Sequence, residues 1–534
     1  MNNVTPFLNR YPRWIALFAG AASATGFAPL NLWPVTLVCF ALFMCLVAEA
    51  QSARRAAMIG WLFGVGHFTI GNNWIAVAFT FQAAMPAWLG WVAVVALALY
   101  LAVYPALCAG GARWIGQRVG GATAGVTQPF IMAFAGCWII TEWLRSWVFT
   151  GFSWNPLGAS FQSQLELARA AKIVGTYGLS ALVIGVAGII LLVLNRQWRA
   201  MTTCLIVFAA IWLTGSIFHS KSLNSGTRQP ELTIVQPNIS QADKYALGYE
   251  ALNFAKLARY SRPLPNQGPR LLLWPEAAIP DYLESGYPYR YYQSQPGESA
   301  VGARLRLTTL MGSKDILLTG SNRLIFDKQG QLTAARNSMT AMDAEGNILG
   351  DYDKAHLVPY GEYLPLKWLL TPLGLSRLVP GDIDFLPGPG AQTMTLMLDG
   401  RPVKIGLQIC YEIIFSGQVV DSKNRPDFLF NPSNDAWFGE WGPPQHLAQA
   451  RLRAIEEGLP VIRATPTGIS AVIDADGQIV TSLGHHKAGR IDARLPAAKA
   501  PTLFSRFGNI LPVGLALLLI ALAFLPLART RTSR

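Results

Sequence analysis

One cysteine stands where a side chain could act as a nucleophile. The chain has six cysteines, and five of them fall in long apolar runs, where a cysteine is an ordinary small residue. Cys410 instead follows the apolar run 404–409, which is typical of a short buried strand. Side chains at the end of a strand are positioned by a rigid sheet. Cys410 is therefore either a buried structural thiol or a nucleophile.

A nucleophilic cysteine needs a base to take its proton and a cation to stabilise negative charge. Glu276, in Leu-Trp-Pro-Glu-Ala, and Lys354, in Tyr-Asp-Lys-Ala-His, each end an apolar strand beside a turn-forming residue. They are the acidic and basic candidates. Since Cys410 has no second cysteine in its region, an internal disulfide and a metal site built on cysteine pairs are excluded there.

Three segments carry a resemblance to a known family. Trp274-Pro-Glu276, Lys354 with the stretch 356–362, and Cys410-Tyr-Glu412 resemble, in this order, the three signatures of the nitrilase superfamily. The resemblance implies acyl transfer at carbon–nitrogen bonds, with Cys410 as nucleophile, Glu276 as general base and acid, and Lys354 as stabilising cation. It also implies an α/β domain built as an α-β-β-α sandwich, and it calls for no metal and no cofactor.

Further residues near these signatures have two interpretations each. Glu362 and Glu412 resemble accessory glutamates of the family that orient Lys354 and the amine substrate or complete the oxyanion environment; otherwise they are a surface pair or cap a turn. Tyr411 supplies a backbone donor or a pocket wall. His356 is interpreted as structural, because Glu276 already provides a base.

The composition points to a membrane protein. Of 534 residues 52% are hydrophobic and 14% are charged, which excludes an ordinary soluble enzyme and a disordered chain. The net charge of +13 is explained by basic residues that flank apolar runs, so no nucleic-acid partner is expected. Eight runs approach the ~20 residues that a membrane-spanning helix needs. They lie at 13–31, 33–49, 57–80, 86–110, 127–148, 173–195, 201–218 and 508–528.

Basic residues occupy every alternate loop between these runs, which predicts that both termini are cytoplasmic. The predicted organisation is a membrane α-helical bundle with seven spans in 1–218, a nitrilase-like catalytic domain on the periplasmic side in 219–506, and an eighth span with a basic tail in 507–534. Short β-branched runs and helical stretches in 219–506 agree with an αβ domain.

A nitrilase-like domain placed before the last of eight spans resembles the apolipoprotein N-acyltransferase family, and this resemblance covers nearly the whole chain. It implies a bacterial inner-membrane enzyme that acts at the lipid bilayer. The acyl donor would be a phospholipid, with phosphatidylethanolamine expected, and the acceptor a diacylated apolipoprotein. One departure is the segment 464–468, where Pro466 stands near a position that carries asparagine in the family. It touches none of the three signatures.

Several apolar residues are candidates for handling a lipid chain. Residues 363–378, which we call the arm, are unusually apolar for a connection and include Trp368, Leu369 and Leu370. They predict a mobile membrane-facing arm, or else a lid packed on its own domain. Trp437 and Phe438 line the same entrance or are ordinary core residues.

Two charged residues lie within the fifth predicted span. Glu142 and Arg145 are three residues apart on one helical face, so they can neutralise each other. They either brace the bundle or contact a lipid headgroup.

Two other functions are compatible with parts of this pattern. In a membrane-tethered amidase or nitrile-type hydrolase, water rather than an amine would resolve the thioester. In a polytopic transporter with an inactive binding domain, Cys410 would be dispensable. The three complete signatures and the scarcity of paired charges in the spans argue against transport.

Overall fold

Residues 10–81, 86–120, 125–199, 229–244, 248–373 and 383–532, with a few residues between 201 and 213, are described by a computed structural model. Their contacts divide the chain into two units. The first comprises Met1–Ala76, Trp88–Ser220 and Pro501–Arg534, and the second comprises Val77–Ala87 and Lys221–Ala500. The predicted limits at 218 and 506 remain predictions.

The first unit is helical, and its long helices follow the apolar runs of the sequence. They are α1 Pro12–Ser23, α2 Trp33–Glu49, α3 Ala53–Gly71, α4 Leu89–Leu101, α5 Val103–Gly120, α6 Gln128–Arg145 and α7 Ala171–Leu194. The last helix of the chain, within residues 501–534, also belongs to this unit. Within α7, Gly175 has φ +67 and interrupts the helical conformation. A glycine tolerates this backbone because it has no Cβ.

Two helical stretches among the described residues are long and apolar enough to cross a membrane: Leu89–Gly120, made of α4 and α5, and Ala171–Leu194. Trp33–Glu49 and Ile510–Leu525 are apolar but shorter. The predicted run 13–31 yields only the 12-residue helix α1. Most of the predicted span 201–218 lies outside the described residues. The helical character of this region is thus supported, while the number of eight spans remains a prediction.

Glu142 and Arg145 are buried within the helical unit, with a closest N···O distance of 4.0 Å. The Glu142 carboxylate accepts hydrogen bonds from the Leu157 amide at 2.7 Å and from the Ser180 hydroxyl of α7. Arg145 donates to the Trp154 carbonyl oxygen at 2.9 Å. Because these partners are protein groups on other segments, the contacts favour the interpretation in which the two charges brace the bundle.

The second unit contains two six-stranded sheets. The first has the order β12-β1-β2-β3-β4-β5 and the second β11-β10-β9-β8-β7-β6. The strands are β1 Glu231–Gln236, β2 Arg270–Leu273, β3 Ile316–Phe326, β4 Leu332–Met342, β5 Ile348–Asp353, β6 Thr393–Leu398, β7 Arg401–Leu407, β8 Phe428–Pro432, β9 Val461–Ala464, β10 Ser470–Ile473, β11 Ile479–Leu483 and β12 Gly489–Arg494.

Helices cover these sheets. They include α8 Gln241–Lys244, α9 Glu250–Ser261, α10 Ala300–Thr308 and α11 Gly442–Glu457, with further short helices at Tyr289–Tyr292 and Lys367–Leu370. The last helix, α12 Ile510–Thr532, belongs to the helical unit. Leu257 of α9 and Leu307 of α10 pack on Leu272 and Leu317 of the first sheet. Strand β1 contacts β9 and β10 of the second sheet, and α11 contacts β9. The predicted αβ sandwich is the observed arrangement.

The central strands of both sheets are parallel: β1, β2 and β3 in one, and β7, β8 and β9 in the other. Their buried, apolar sequences suit strands covered on both faces. The carboxyl ends of parallel strands meet at one edge of a sheet, which is where α/β proteins place their sites. Glu276 follows β2, Cys410 follows β7, and Lys354 directly follows β5.

Candidate active site

Cys410 lies in a sharp turn after β7. It begins a short 3-10 helix, Cys410–Ile414, and has φ +53, in the left-handed region that a non-glycine residue rarely adopts. The residue is buried, with 4% of its surface exposed. Such strained positions persist only where surrounding contacts hold them, and they are common at active sites.

The backbone of this turn is held by a buried polar network. The Cys410 carbonyl oxygen accepts from the Asn431 amide at 3.2 Å and lies 3.1 Å from Nε2 of His446. Nδ1 of His446 lies 2.8 Å from the Asp435 carboxylate, which also pairs with Arg463 at 2.8 Å. His446 lies in the first turns of α11, and nothing in the sequence indicated its contact with the backbone of the nucleophile.

Glu276 meets the thiol from the opposite sheet. Its carboxylate accepts from the Asn434 backbone N–H at 2.7 Å and from the Asn337 amide at 2.8 Å, and it hydrogen-bonds to the Cys410 thiol. Burial favours the neutral acid, but Lys354 and these donors outweigh it and hold the pKa of Glu276 below its ordinary value. Glu276 is therefore ionised at neutral pH and can accept a proton.

Lys354 is enclosed between two carboxylates. Its Nζ donates to Glu362 Oε1 at 2.9 Å and lies 3.4 Å from Glu276 Oε1, and Asn337 donates to both glutamates. Burial would lower the pKa of Lys354, yet Glu362, Glu276 and Cys410 together raise it above its ordinary value. The ammonium is therefore charged at neutral pH, and because the side chain is only 1% exposed, its surroundings hold it in place.

The Cys410 thiol is protonated in this environment. Burial first, and then the charge of Glu276, raise its pKa well above the ordinary value, although Lys354 opposes them. The resting site therefore holds a thiol beside an ionised carboxylate rather than a preformed thiolate. Proton transfer to Glu276 must then accompany the attack on a substrate.

Alkylation of Cys410 by iodoacetamide tests this protonation state. Because only the thiolate reacts, we expect the rate to rise about tenfold per pH unit between pH 7 and 9, without a plateau. The rate is measured by mass spectrometry of the peptide that contains Cys410, which separates it from the other cysteines. A plateau reached below pH 7 would contradict the protonated resting thiol.

Glu412 serves as a brace between the two sheets. Its buried carboxylate accepts from the backbone N–H groups of Ile409 at 2.6 Å, Ala355 at 2.7 Å and His356 at 3.1 Å, and from the Tyr352 hydroxyl. Burial raises the pKa of Glu412 to about 7 in spite of these donors. Of its predicted roles, the contacts favour turn capping. The Glu412 carboxylate links the turn that carries Cys410 to the segment that follows Lys354.

The other predicted residues fall into two groups. Tyr411 and Phe438 are buried, and His356 stacks on Phe415 with ring centroids 3.7 Å apart, which fits its structural interpretation. Trp437 is half-buried against Phe81, whereas in the arm Trp368 is 76% exposed and Leu369 44%. The Leu370 side chain and residues 374–382 lie outside the described part of the chain.

Two residues of the site were not foreseen. Asn337, in the middle of β4, links the two glutamates around Lys354. Lys244, the last residue of α8, places its Nζ 3.4 Å from the backbone oxygen of Glu276. An isolated asparagine in a strand and a lysine at a helix end carry no signal by themselves, since both are usually solvated.

One group of side chains in the described ranges has the ligand types of a metal site: Glu440, His485 and His486. The two rings stack at 3.8 Å and face the Glu440 carboxylate at 3.3 and 3.1 Å. This pairing already supplies each histidine with a partner. The turn is exposed at His486.

The geometry suits covalent catalysis. It combines a thiol, a carboxylate that can take its proton, and a fixed cation beside both, which are the parts required to form and break a thioester. The same parts would serve acyl transfer to an amine and hydrolysis, because the identity of the second nucleophile is set by what enters the site.

Comparison with known proteins separates these possibilities. Residues 19–189 match the model of the apolipoprotein N-acyltransferase N-terminal domain, and residues 231–501 match that of carbon-nitrogen hydrolases. An apolipoprotein N-acyltransferase of Rhodopseudomonas palustris is 35% identical over 96% of this chain and 94% of its own length. One from Bradyrhizobium diazoefficiens is 35% identical over 97% and 95%, and one from Caulobacter vibrioides is 33% identical over 95% and 93%.

The likeness therefore extends through the helical unit as well as the domain with the buried thiol. A hydrolase-type domain alone would leave the function open, whereas a full-length match at this identity does not. The chain belongs to the apolipoprotein N-acyltransferase family.

Proposed function

We propose that this enzyme transfers an acyl chain from a phospholipid, through a thioester on Cys410, to the α-amine of the diacylglyceryl-cysteine of an apolipoprotein. The observation that carries the proposal is the ammonium of Lys354, fixed between Glu276 and Glu362 beside a buried thiol in a strained turn. Family membership supplies the apolipoprotein acceptor, and phosphatidylethanolamine is the donor we expect.

In the first half-reaction, Cys410 Sγ attacks the carbonyl carbon of the phospholipid ester as its proton passes to Glu276. The negative charge on the former carbonyl oxygen is stabilised by Lys354, with the backbone N–H of Tyr411 as a second donor. When the C–O bond breaks, Glu276 returns the proton to the leaving alkoxide. A lysophospholipid departs and the acyl group remains on sulfur.

In the second half-reaction, the neutral α-amine attacks the thioester carbon and Glu276 accepts a proton from its nitrogen. The C–S bond then breaks, and the departing sulfur takes up that proton. Glu362 keeps Lys354 in position in both steps, since its Oε1 holds Nζ at 2.9 Å while its Oε2 accepts from the Val358 amide at 2.8 Å. Glu412 maintains the turn that presents the thiol.

We further propose that the enzyme spans the bacterial inner membrane eight times, with cytoplasmic termini and a periplasmic catalytic domain at 219–506. The apolar helices and the basic residues between them support this topology. The exposed Trp368 and Leu369 support contact of the arm with the bilayer, from which an acyl chain must leave to reach Cys410.

Replacing Trp368 with Ala tests the role of the arm. We expect about a tenfold increase in the KM for phospholipid presented in vesicles, because an exposed aromatic anchor at the interface is lost. Alkylation of Cys410 by water-soluble iodoacetamide should be unchanged. Tyr289→Ala, which removes a comparably exposed aromatic at 67%, is the control. An unchanged KM, or alkylation altered to the same extent, would show that the arm does not collect lipid.

Intact mass spectrometry tests the proposed function itself. The detergent-purified protein is incubated with phosphatidylethanolamine, and peptide mapping locates any added acyl group; a synthetic diacylated lipopeptide is then added. We expect one acyl group on Cys410, equimolar lysophospholipid, and transfer of that acyl group to the lipopeptide amine. Absence of any adduct and of lysophospholipid would refute the proposal. Release of free fatty acid with the lipopeptide left unmodified would indicate a hydrolase.

A further inference from the structure

Three side chains that the proposed reaction does not use converge in the second unit: Glu440, His485 and His486. Glu440 lies in the segment between β8 and α11, and the two histidines lie in the turn between β11 and β12. The carboxylate oxygens of Glu440 lie 3.3 Å from Nδ1 of His485 and 3.1 Å from Nε2 of His486. One ligand atom of each residue lies within 4.8 Å of those of the other two.

These distances suit the coordination sphere of a metal ion. Zinc binds imidazole nitrogen and carboxylate oxygen at about 2.0–2.2 Å in tetrahedral geometry, which places neighbouring ligand atoms about 3.3–3.6 Å apart. The two N···O distances, 3.1 and 3.3 Å, need little adjustment to reach this range. Two imidazoles and one carboxylate leave the fourth position to water. Glu440 and His486 are 74% and 63% exposed, so an ion can enter from solvent.

The turn that carries the histidines is fixed by contacts that do not involve their rings. The His486 backbone N–H donates to the Thr467 carbonyl oxygen at 2.8 Å, and the His486 carbonyl oxygen accepts from the Asn238 amide at 3.0 Å. The two rings stack with centroids 3.8 Å apart and face the same carboxylate. Ligands that are held before an ion arrives lose less conformational freedom on binding, so this arrangement favours coordination.

The segment 434–440 connects this group to the catalytic residues. At its beginning, Asn434 donates its backbone N–H to the Glu276 carboxylate at 2.7 Å, and Glu440 is its last residue. An ion held by Glu440 and the two histidines would join this segment to the turn between β11 and β12. It would thereby restrict the part of the chain that supplies a donor to Glu276.

We propose that Glu440, His485 and His486 bind one divalent transition-metal ion, for which zinc is the best fit, and that the ion fixes the segment 434–440 to the turn between β11 and β12. Imidazole and carboxylate ligands favour zinc over Mg²⁺ and Ca²⁺, which prefer ligand sets made of oxygen alone. This inference does not depend on the proposed function. The competing explanation is that the three side chains only hydrogen-bond to one another.

Isothermal titration calorimetry with zinc chloride tests the metal site. The full-length protein in detergent carries no polyhistidine tag and is first freed of metal by a chelator. We expect one zinc ion per chain, and no binding of magnesium or calcium under the same conditions. His486→Ala and Glu440→Gln should each weaken zinc binding by about 100-fold or more, since changes even behind the ligands of a metal cost about 10- to 100-fold.

The choice of variants separates the two explanations. Glu440→Gln keeps an oxygen that can accept from the histidines, so it preserves hydrogen bonds while it removes the charged ligand. Lys487→Ala is the matched control, because Lys487 is exposed in the same turn and belongs to none of the three ligands. It should bind zinc as tightly as wild type does. The melting temperature of each variant without zinc reports on folding.

Hydrogen exchange followed by mass spectrometry tests the second part of the proposal. In wild type, peptides that cover residues 434–440 should exchange about tenfold more slowly with saturating zinc than with a chelator, because the bound ion stabilises the closed form of the segment. In His486→Ala, which lacks one ligand, zinc should leave the exchange of the same peptides unchanged.

Three results would overturn the proposal. If wild type binds no zinc, the three side chains are a hydrogen-bonded group. If binding survives both His486→Ala and Glu440→Gln, the ion is held elsewhere in the chain. If zinc binds at these ligands without slowing exchange in 434–440, it does not fix the segment. None of these results bears on the acyl adduct at Cys410, by which the proposed function is tested.

Discussion

Cys410→Ala is expected to lower acyl transfer by more than about 10⁴-fold and to abolish the acyl adduct, because loss of a nucleophile removes the covalent route altogether. Residual turnover would come only from binding and from the oxyanion donors. The site has no other thiol within the described residues, since the remaining free cysteines lie in the helical unit at Cys39, Cys45, Cys108 and Cys137. The measurements are lysophospholipid release and transfer to a lipopeptide.

Cys410→Ser should be as inactive as Cys410→Ala. A hydroxyl is far less acidic than a thiol, and the pKa of Glu276 lies below its ordinary value, so the carboxylate is too weak a base for an alcohol. Cys45→Ala, which removes a partly buried thiol from α2, is the matched control and should retain full activity. Transfer at wild-type rate by Cys410→Ala would contradict a thioester mechanism and indicate direct attack of the amine on the phospholipid.

The positions of the three central residues could be predicted because each one ends a strand. The apolar runs before Glu276 and Cys410 are strands β2 and β7, and Asp353 closes β5 directly before Lys354. Strand ends are recognisable from sequence. Strands β2 and β5 belong to the first sheet and β7 to the second, and the facing of the two sheets brings these three strand ends together. Their catalytic roles remain predictions, which the variants described here would test.

The contacts that tune the site could not be predicted in the same way. Asn337 reaches both glutamates only because β4 pairs with β5 in the register that sets Ser338 opposite Asp353. No local motif in the sequence encodes that register. The network from Arg463 through Asp435 to His446 likewise joins residues from β9, the segment after β8 and α11, and their contacts depend on how these separate elements pack.

The apolar runs of the sequence predicted where helices lie more reliably than how long they are. The run 13–31 predicted one span, but α1 ends at Ser23, a 3-10 turn follows, and residues 27–32 are not helical. In the opposite direction, helix continues past the run 86–110 to Gly120, and Arg113, in this added part, is buried and donates to the Ala50 carbonyl oxygen. Hydropathy averages over turns and buried charges, so it locates a helix without fixing its ends.

Lys354→Met is expected to have two separate effects. Without the ammonium, the carboxylates of Glu276 and Glu362 face each other unpaired in a buried site, which should lower the free energy of unfolding by about 3–5 kcal/mol. The variant also lacks the cation that stabilises the oxyanion, and loss of one such donor lowers the rate by about 10²- to 10³-fold. Scanning fluorimetry in detergent and single-turnover acylation measure the two effects.

A second substitution separates stability from catalysis. In Lys354→Met/Glu362→Gln one of the two unpaired charges is gone, so a large part of the lost stability should return, while acylation should stay as slow as in Lys354→Met. Glu362→Gln alone retains the pair of Lys354 with Glu276, 3.4 Å apart, and an amide oxygen can still accept from Nζ, so the rate should fall by no more than about tenfold. Recovery of activity together with stability in the double variant would mean that Lys354 only holds the glutamates apart. Recovery of stability without activity would show that Lys354 stabilises the oxyanion. The double variant would then be folded, with its carboxylates in place, but it would lack the positive charge that the transition state requires.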